Sequence, residues 1–261
     1  MCMEYAPHGL NGFLPPQANT TVEPEAWALL PPGYPLINGR LVSQANGLNE
    51  RLLDYFAQLE KSLVQFANAP LSVLALACTG SSYLMGQAQE ARWVNDWQTR
   101  LQIPVVTAGR AVAAALHKLG VRHLDLLSPY PAELTQASQA HWISHGFRIG
   151  QVQPVPIDEA GFHAIDSTSS ASASGAALAL SPSRANAVLM LGTEMPSLKT
   201  LLLPRPAQSP PWLSCMLALM WQSVQAISAS PSGSAPALRD WLQGHHWAQR
   251  ARAMGLVPNT T

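Results

Sequence analysis

Charge is the scarcest property of this chain. Asp, Glu, Lys and Arg make up only 11% of its 261 residues, and the formal net charge at pH 7 is zero. The usual charged share is about 25%. A chain with so few charges and 48% apolar residues does not read as disordered, because disorder needs high charge and little to bury. No basic stripe is present to neutralise phosphates, so nucleic acid is excluded as a partner. Long apolar runs are missing too. The longest, Leu71–Ala77 and Leu213–Trp221, fall short of the roughly 18–20 residues a membrane helix needs, so no membrane partner is expected. Cysteine is limited to Cys2, Cys78 and Cys215. An odd, sparse count without a CxxC pair points to a reducing compartment and not to a disulfide framework. No Cys/His cluster stands at metal-ligand spacing. The opening Met1-Cys2-Met3-Glu4-Tyr5 lacks the basic region and apolar stretch of a secretory leader. A cytoplasmic protein is therefore expected, and its low-charge surface suggests a homo-oligomer.

What the chain does have is alternation. Val73–Ala77 is a continuous apolar run closed by Cys78-Thr79-Gly80-Ser81-Ser82. Buried parallel strands have this character, and the small polar stretch reads as a turn into a helix. A helix is expected from about Tyr83 to Trp97, a strand at Ile103–Val106, and a helix at Gly109–Leu119 stopped by Gly120. The strand Leu124–Leu127 ends at Ser128-Pro129-Tyr130. A helix over Pro131–His145 stops at Gly146, and Phe147–Val152 reads as a strand. Nearer the start, Gly12–Pro15 reads as a strand and Leu48–Phe66 as one long amphipathic helix. Strand and helix in turn predict an α/β fold with parallel sheets. Ser167–Gly175 is a loop or the start of a helix. Pro204–Pro211 and Ser228–Pro236 are connections, and a last helix carries Trp241, His245, His246 and Trp247.

The two halves echo each other. Leu76-Ala77-Cys78-Thr79 is matched by Met190-Leu191-Gly192-Thr193, each an apolar strand ending in a small residue and a Thr. Each unit is followed by a second: Val105–Ala111 leads into a helix, as does Trp212–Ala218. Two similar lobes follow: residues 1–107 plus 212–261 carrying Cys78, and 108–211 carrying Tyr130 and Gly192. Ligands of such sheets bind beyond the carboxyl ends of the strands. The Cys78 turn would then face the Gly192 turn across one cleft.

Cys78 precedes a helix, where backbone N–H groups favour an anion and lower a thiol's pKa. The plain alternative is a small packed core residue. Cys215 lies inside an apolar run and reads more as core. Asn19-Thr20-Thr21-Val22-Glu23 offers amide and hydroxyl groups to a carboxylate, or simply starts a helix with Thr before Glu. Tyr130, at a strand's carboxyl end, offers a phenol to an anion, or packs as an ordinary aromatic.

Taken in order, Asn19–Glu23, Cys78-Thr79-Gly80-Ser81-Ser82-Tyr83, Pro104–Ala108, Ser128-Pro129-Tyr130, Gly146-Phe147 and Glu194-Met195-Pro196-Ser197-Leu198 form a series. It resembles the aspartate/glutamate racemase superfamily, in the branch of maleate cis-trans isomerase and arylmalonate decarboxylase. The resemblance runs from about Gly9 to Trp221. It implies two Rossmann-like lobes related by a pseudo-two-fold axis, an active site in the cleft between them, and neither metal nor organic cofactor. It implies a small carboxylate or dicarboxylate substrate. Cys78 takes the place of the first of two family cysteines, the nucleophile of the maleate isomerases. Asn19, Thr79, Gly80, Ser81, Tyr130, Gly192, Thr193 and Glu194 would surround the substrate. The second cysteine's place falls on Gly192, the mirror image of the decarboxylase arrangement, which disfavours two-thiol racemisation. Gly80 stands where Ser is frequent, Met216 where a polar residue is frequent, and no further Asn is evident around Ile165-Asp166-Ser167. An isomerase is the first expectation. Decarboxylation of a substituted malonate and non-catalytic carboxylate binding are the alternatives, with Glu194 a substitute for the lost acid.

Overall fold

Val73–Leu76 forms the strand around which the first half is built. It is buried along its whole length, as a parallel strand covered on both faces must be. The computed structural model describes residues 3–157, 164–181, 183–206, 208–228 and 235–259. Cys2 and much of the Ser228–Pro236 connection lie outside the described residues. In chain order the first half comprises β1 (Asn11–Leu14), α1 (Val22–Leu29), β2 (Leu36–Asn38), α2 (Leu48–Ala57), α3 (Leu59–Leu63), β3 (Val73–Leu76), α4 (Thr79–Met85), α5 (Gln87–Leu101), β4 (Val105–Thr107) and α6 (Ala108–Lys118). The second comprises β5 (His123–Ser128), α7 (Ala132–Ser144), β6 (Arg148–Pro154), α8 (Ser170–Leu178), β7 (Ala187–Met190), α9 (Leu198–Leu201), β8 (Trp212–Ser214) and α10 (Cys215–Ser228). Two short helices follow, α11 (Leu238–Leu242) and α12 (Ala248–Ala253).

The strands make two four-stranded sheets of the same order, β2-β1-β3-β4 and β6-β5-β7-β8. Every pairing is parallel. Parallel neighbours require crossover connections, and the helices supply them. The two-lobed α/β architecture expected from the alternation and the internal echo is present, with β3 and β7 in equivalent places.

The expected lobe boundaries need two corrections. Trp212–Ser214 was assigned to the first lobe, but β8 pairs with β7 and closes the second sheet. The crossover comes one element later. Helix α10 leaves β8 and packs against α6, α1, β3 and β4 of the first half. It can do so because Cys215 through Trp221 are all buried, and a helix apolar on all sides belongs inside. Likewise α6, expected in the second lobe, packs on α4 and β4.

Two helices expected as single elements are split. Gly86, at φ +78°, separates α4 from α5. A left-handed glycine is where a helix stops without steric cost. The long helix over Leu48–Phe66 divides at Gln58 into α2 and α3. After α10, the described C-terminal helices cover the back of α1. Trp241 and Trp247 are fully buried, the Trp247 indole N–H donates to the Trp241 carbonyl at 2.7 Å, and α12 lies along α1. Among the described residues no helix is long and apolar enough to cross a membrane.

Candidate functional site

Strands β3 and β7 both end in turns that meet between the lobes, and a set of polar bonds stitches the turns together. The Thr193 hydroxyl, after Gly192, donates to the Ala77 carbonyl, before Cys78, at 2.7 Å. The Asn19 amide donates to Thr193 Oγ1 at 3.3 Å. The Thr79 and Tyr130 hydroxyls lie 2.9 Å apart. The Thr21 hydroxyl donates to the Glu194 carbonyl at 2.6 Å. Each bond joins an element of one sheet to a turn of the other, so the residues expected around one cleft are brought together.

Cys78 occupies the residue before α4 with extended backbone, φ −140° and ψ 104°. From there its Sγ faces the N–H groups of Gly80 and Ser81 and the Ser81 hydroxyl, which is 3.2 Å away. These contacts favour a thiolate, as the sequence suggested. Burial of the side chain outweighs them, and the Glu194 carboxylate adds to it, so the thiol is pushed up to about 12. The expectation of a lowered pKa is thus corrected: stripping water from an anion costs more here than a short helix's first N–H groups return. Ser81 has one hydroxyl proton and two acceptors, Cys78 Sγ and the Leu52 carbonyl at 2.6 Å. When that proton goes to Leu52, the Cys78 S–H can donate to Ser81 Oγ.

The glycines have different reasons. A Cβ on Gly80 would meet the Leu52 side chain at 2.8 Å, so its lack of side chain lets α4 settle on α2. Gly192 sits at φ +86°, and a Cβ there would lie 3.1 Å from the Tyr130 hydroxyl and 3.2 Å from Glu194 Oε2. The Glu194 carboxylate therefore points toward Tyr130 and Cys78, beside the place from which a second thiol would have projected. Tyr130 is held by its neighbours: its carbonyl accepts from Thr135 Oγ1 at 3.1 Å and its N–H donates to Ser128 Oγ at 3.3 Å. Burial, then the nearby Tyr83, pushes its phenol well above the ordinary tyrosine range, so it remains a hydrogen-bond donor. Asn19 is more committed than expected. Its Oδ1 accepts from the N–H groups of Thr21 and Val22, which starts α1 and leaves only amide N–H groups for other work.

The decisive comparison is with protein families. A model described as arylmalonate decarboxylase matches residues 12–237. The chain belongs to the arylmalonate decarboxylase family. A maleate isomerase from Pseudomonas putida is 25% identical over 153 residues, 53% of this chain, and the match spans 60% of that relative's own length. A cysteine-to-serine mutant of the Nocardia farcinica maleate cis-trans isomerase, with a covalently bound succinylcysteine intermediate, superposes with TM-score 0.73 at 23% identity, over 84% of this chain and 92% of that one. An arylmalonate decarboxylase mutant with one glycine changed to cysteine and one cysteine to serine, in liganded form, superposes with TM-score 0.69 at 17% identity, over 88% and 96%. These likenesses carry the fold, and they match the branch that the motif series resembles.

Some residues at this family member's cleft were not legible in advance. Tyr83 turns its ring edge-on to Tyr130, with centroids 6.0 Å apart, and its hydroxyl faces Thr79 and Cys215. Cys215 is nearer the cleft than an apolar run implies, and its sulfur lies against the Gly192 N–H. Its own S–H points elsewhere, to the Met190 carbonyl at 3.2 Å, so it anchors the glycine turn. Glu25 was missed altogether. Buried in α1, its Oε1 accepts from the N–H groups of Ser197 and Leu198, and Oε2 lies 2.7 Å from Ser197 Oγ. Burial pushes this carboxyl up to about 7. Only a buried acid inside an apolar helix face signalled it.

Proposed function

We propose that this protein is a cofactor-independent isomerase of a small cis-dicarboxylate, resembling maleate isomerase, with Cys78 as nucleophile. The observation that carries the proposal is the pairing of one buried cysteine, Cys78, with one nearby carboxylate, Glu194, in the place where the superfamily's racemases are expected to pair two thiols. Covalent addition needs one sulfur and one group to handle the proton. As the Cys78 sulfur bonds to one alkene carbon, Glu194 takes the thiol proton and delivers it to the other carbon, where the π electrons form the new C–H bond. The resulting single bond rotates. Glu194 then removes a proton from that carbon, the C=C bond re-forms, the C–S bond breaks with its electrons going to sulfur, and the trans alkene departs. Glu194 returns the proton to the Cys78 thiolate, so thiol and carboxylate end as they began. The high pKa of Cys78 fits a thiol that loses its proton only as the new bond forms. The N–H groups at the α4 start, with Tyr130 and Thr79, are suited to the substrate's carboxylates. The mutant isomerase whose name specifies a succinylcysteine intermediate supports this chemistry by likeness.

The family model's own description favours a second reading, decarboxylation of a substituted malonate, with Cys78 protonating the product from one face. Proton NMR separates the two. Maleate is expected to convert to fumarate with wild type and not with Cys78→Ser, while Glu194→Gln loses about 10²-fold or more, the range of an acid–base group. Conversion of a phenylmalonate with none of maleate would replace the isomerase by the decarboxylase. No turnover of either would leave carboxylate binding as the function.

A further inference from the structure

We propose that Glu90, His141 and His145 form a divalent metal site, best suited to Zn2+, behind the cleft. The sequence shows no such cluster because Glu90 on α5 is far in the chain from His141 on α7 and His145, the residue that ends α7. The fold brings one ligand atom of each within 4.8 Å of the other two. His141 and His145 are four residues apart on one helical turn, so both rings project from the same face. Their ring centroids lie 4.7 Å apart.

The argument rests on unsatisfied polar atoms. Glu90 is completely buried, and His141 is 3% exposed. The Ser82 hydroxyl donates to Glu90 Oε1 at 2.6 Å and the Thr107 hydroxyl faces the same carboxylate without reaching hydrogen-bond geometry at Oε2, and neither of the two His141 nitrogens nor His145 Nε2 has a hydrogen-bond partner. Buried polar atoms are nearly always paired, and an exception calls for an explanation such as an ion. Here several converge on one point. Two imidazoles and a carboxylate are a borderline-metal donor set, and a three-ligand set of this kind leaves a position open. Ser82 is the positioning residue: its hydroxyl fixes Glu90, and its backbone lies beside His141 without reaching hydrogen-bond geometry. Arg110 and His117 face the rim from α6, and half-buried His145 is the side open to entry. Tyr83 connects the site to the cleft, its ring 5.2 Å from that of His141 and 6.0 Å from that of Tyr130.

The test uses the full chain stripped with EDTA and titrated with Co2+ and Zn2+ alone. One ion per chain is expected, with Co2+ giving the intense visible bands of a low-coordinate imidazole site. His145→Gln, at a half-buried position that should fold, is expected to weaken binding by about tenfold or more, and Ser82→Ala by about 10–100-fold. His246→Gln, in the exposed pair of histidines near Asp240, should change nothing. Circular dichroism confirms the fold of each variant. Absence of stoichiometric binding by wild type, or loss in His246→Gln with wild-type binding in His145→Gln, would overturn the proposal.

Discussion

At Cys78 two local effects oppose each other. The first N–H groups of α4 and the Ser81 hydroxyl favour the thiolate, while complete burial and Glu194 favour the thiol, and the second pair wins. Reactivity toward small alkylating agents should therefore be low at neutral pH. Iodoacetamide is expected to modify denatured protein rapidly and the folded chain slowly at Cys78, followed by peptide mapping; fast labelling of the folded chain at pH 7 would show that the thiol is already ionised. Gly192 makes a second prediction. Restoring a cysteine there does not simply restore a two-thiol site, because φ is +86° and the new Cβ meets Tyr130 and Glu194. Gly192→Cys is expected to cost about 1–2 kcal/mol in urea unfolding, from the left-handed backbone alone. Cys78 and Gly192 were both legible in the chain, as small residues closing apolar runs. The state of the thiol was not, because burial and a carboxylate nearly 120 residues away set it. Glu194 was legible as a charge beside the turn, but its direction was not.

At the scale of elements, the strand-and-helix alternation located nearly every strand, and the helix stops at Gly120 and Gly146 coincide with left-handed glycines. The misplaced boundaries have a common cause. Gly86 looked like an interior residue of a periodic helix, yet its backbone splits α4 from α5. Strand β8 reads as part of the first lobe because the chain beyond it belongs there, yet it pairs with β7 and only α10 crosses over. Local pattern does not say which sheet a short edge strand joins; its pairing partner does. The C-terminal helices were outside the resemblance, and their role comes from packing. Arg250 donates to the Ala28 and Leu29 carbonyls and so closes the end of α1, while Trp247 fills the space beneath. Trp247→Ala is expected to destabilise by about 3–5 kcal/mol, the cost of emptying a buried aromatic site, measured by chemical unfolding. A loss below about 1 kcal/mol would mean that α12 is peripheral to the fold.

At the scale of the whole molecule, two like lobes are joined by the packing of α10 on the first half and by polar bonds between turns, among which those of Glu25 are sensitive to pH. Its carboxyl, ordinarily near 4.5, is raised to about 7 by burial. As pH rises, the unfolded chain releases this proton first. The stabilisation is fully present below about 4.5 and is lost as pH rises through about 7, a change on the order of 3 kcal/mol. Protonated Glu25 can donate from Oε2 to Ser197 Oγ, which frees the Ser197 proton for Ser214 Oγ at 2.9 Å. Glu25→Gln copies that arrangement. Its unfolding free energy is expected to vary less than wild type's between pH 5 and 8, and to match or exceed it at pH 8. A steeper dependence would show that the charged form is the one the fold prefers.

The same convergence of lobes brings Cys78, Glu194 and Tyr130 close together, and the proposal of covalent addition stands on that juxtaposition. Its most direct test is peptide-level mass spectrometry of protein quenched in acid during incubation with maleate. A succinyl group on the Cys78 peptide, absent from Cys78→Ser and absent from the Cys215 peptide, is the expected result. Fumarate formation without any adduct on Cys78, or with wild-type rates in Cys78→Ser, would contradict it.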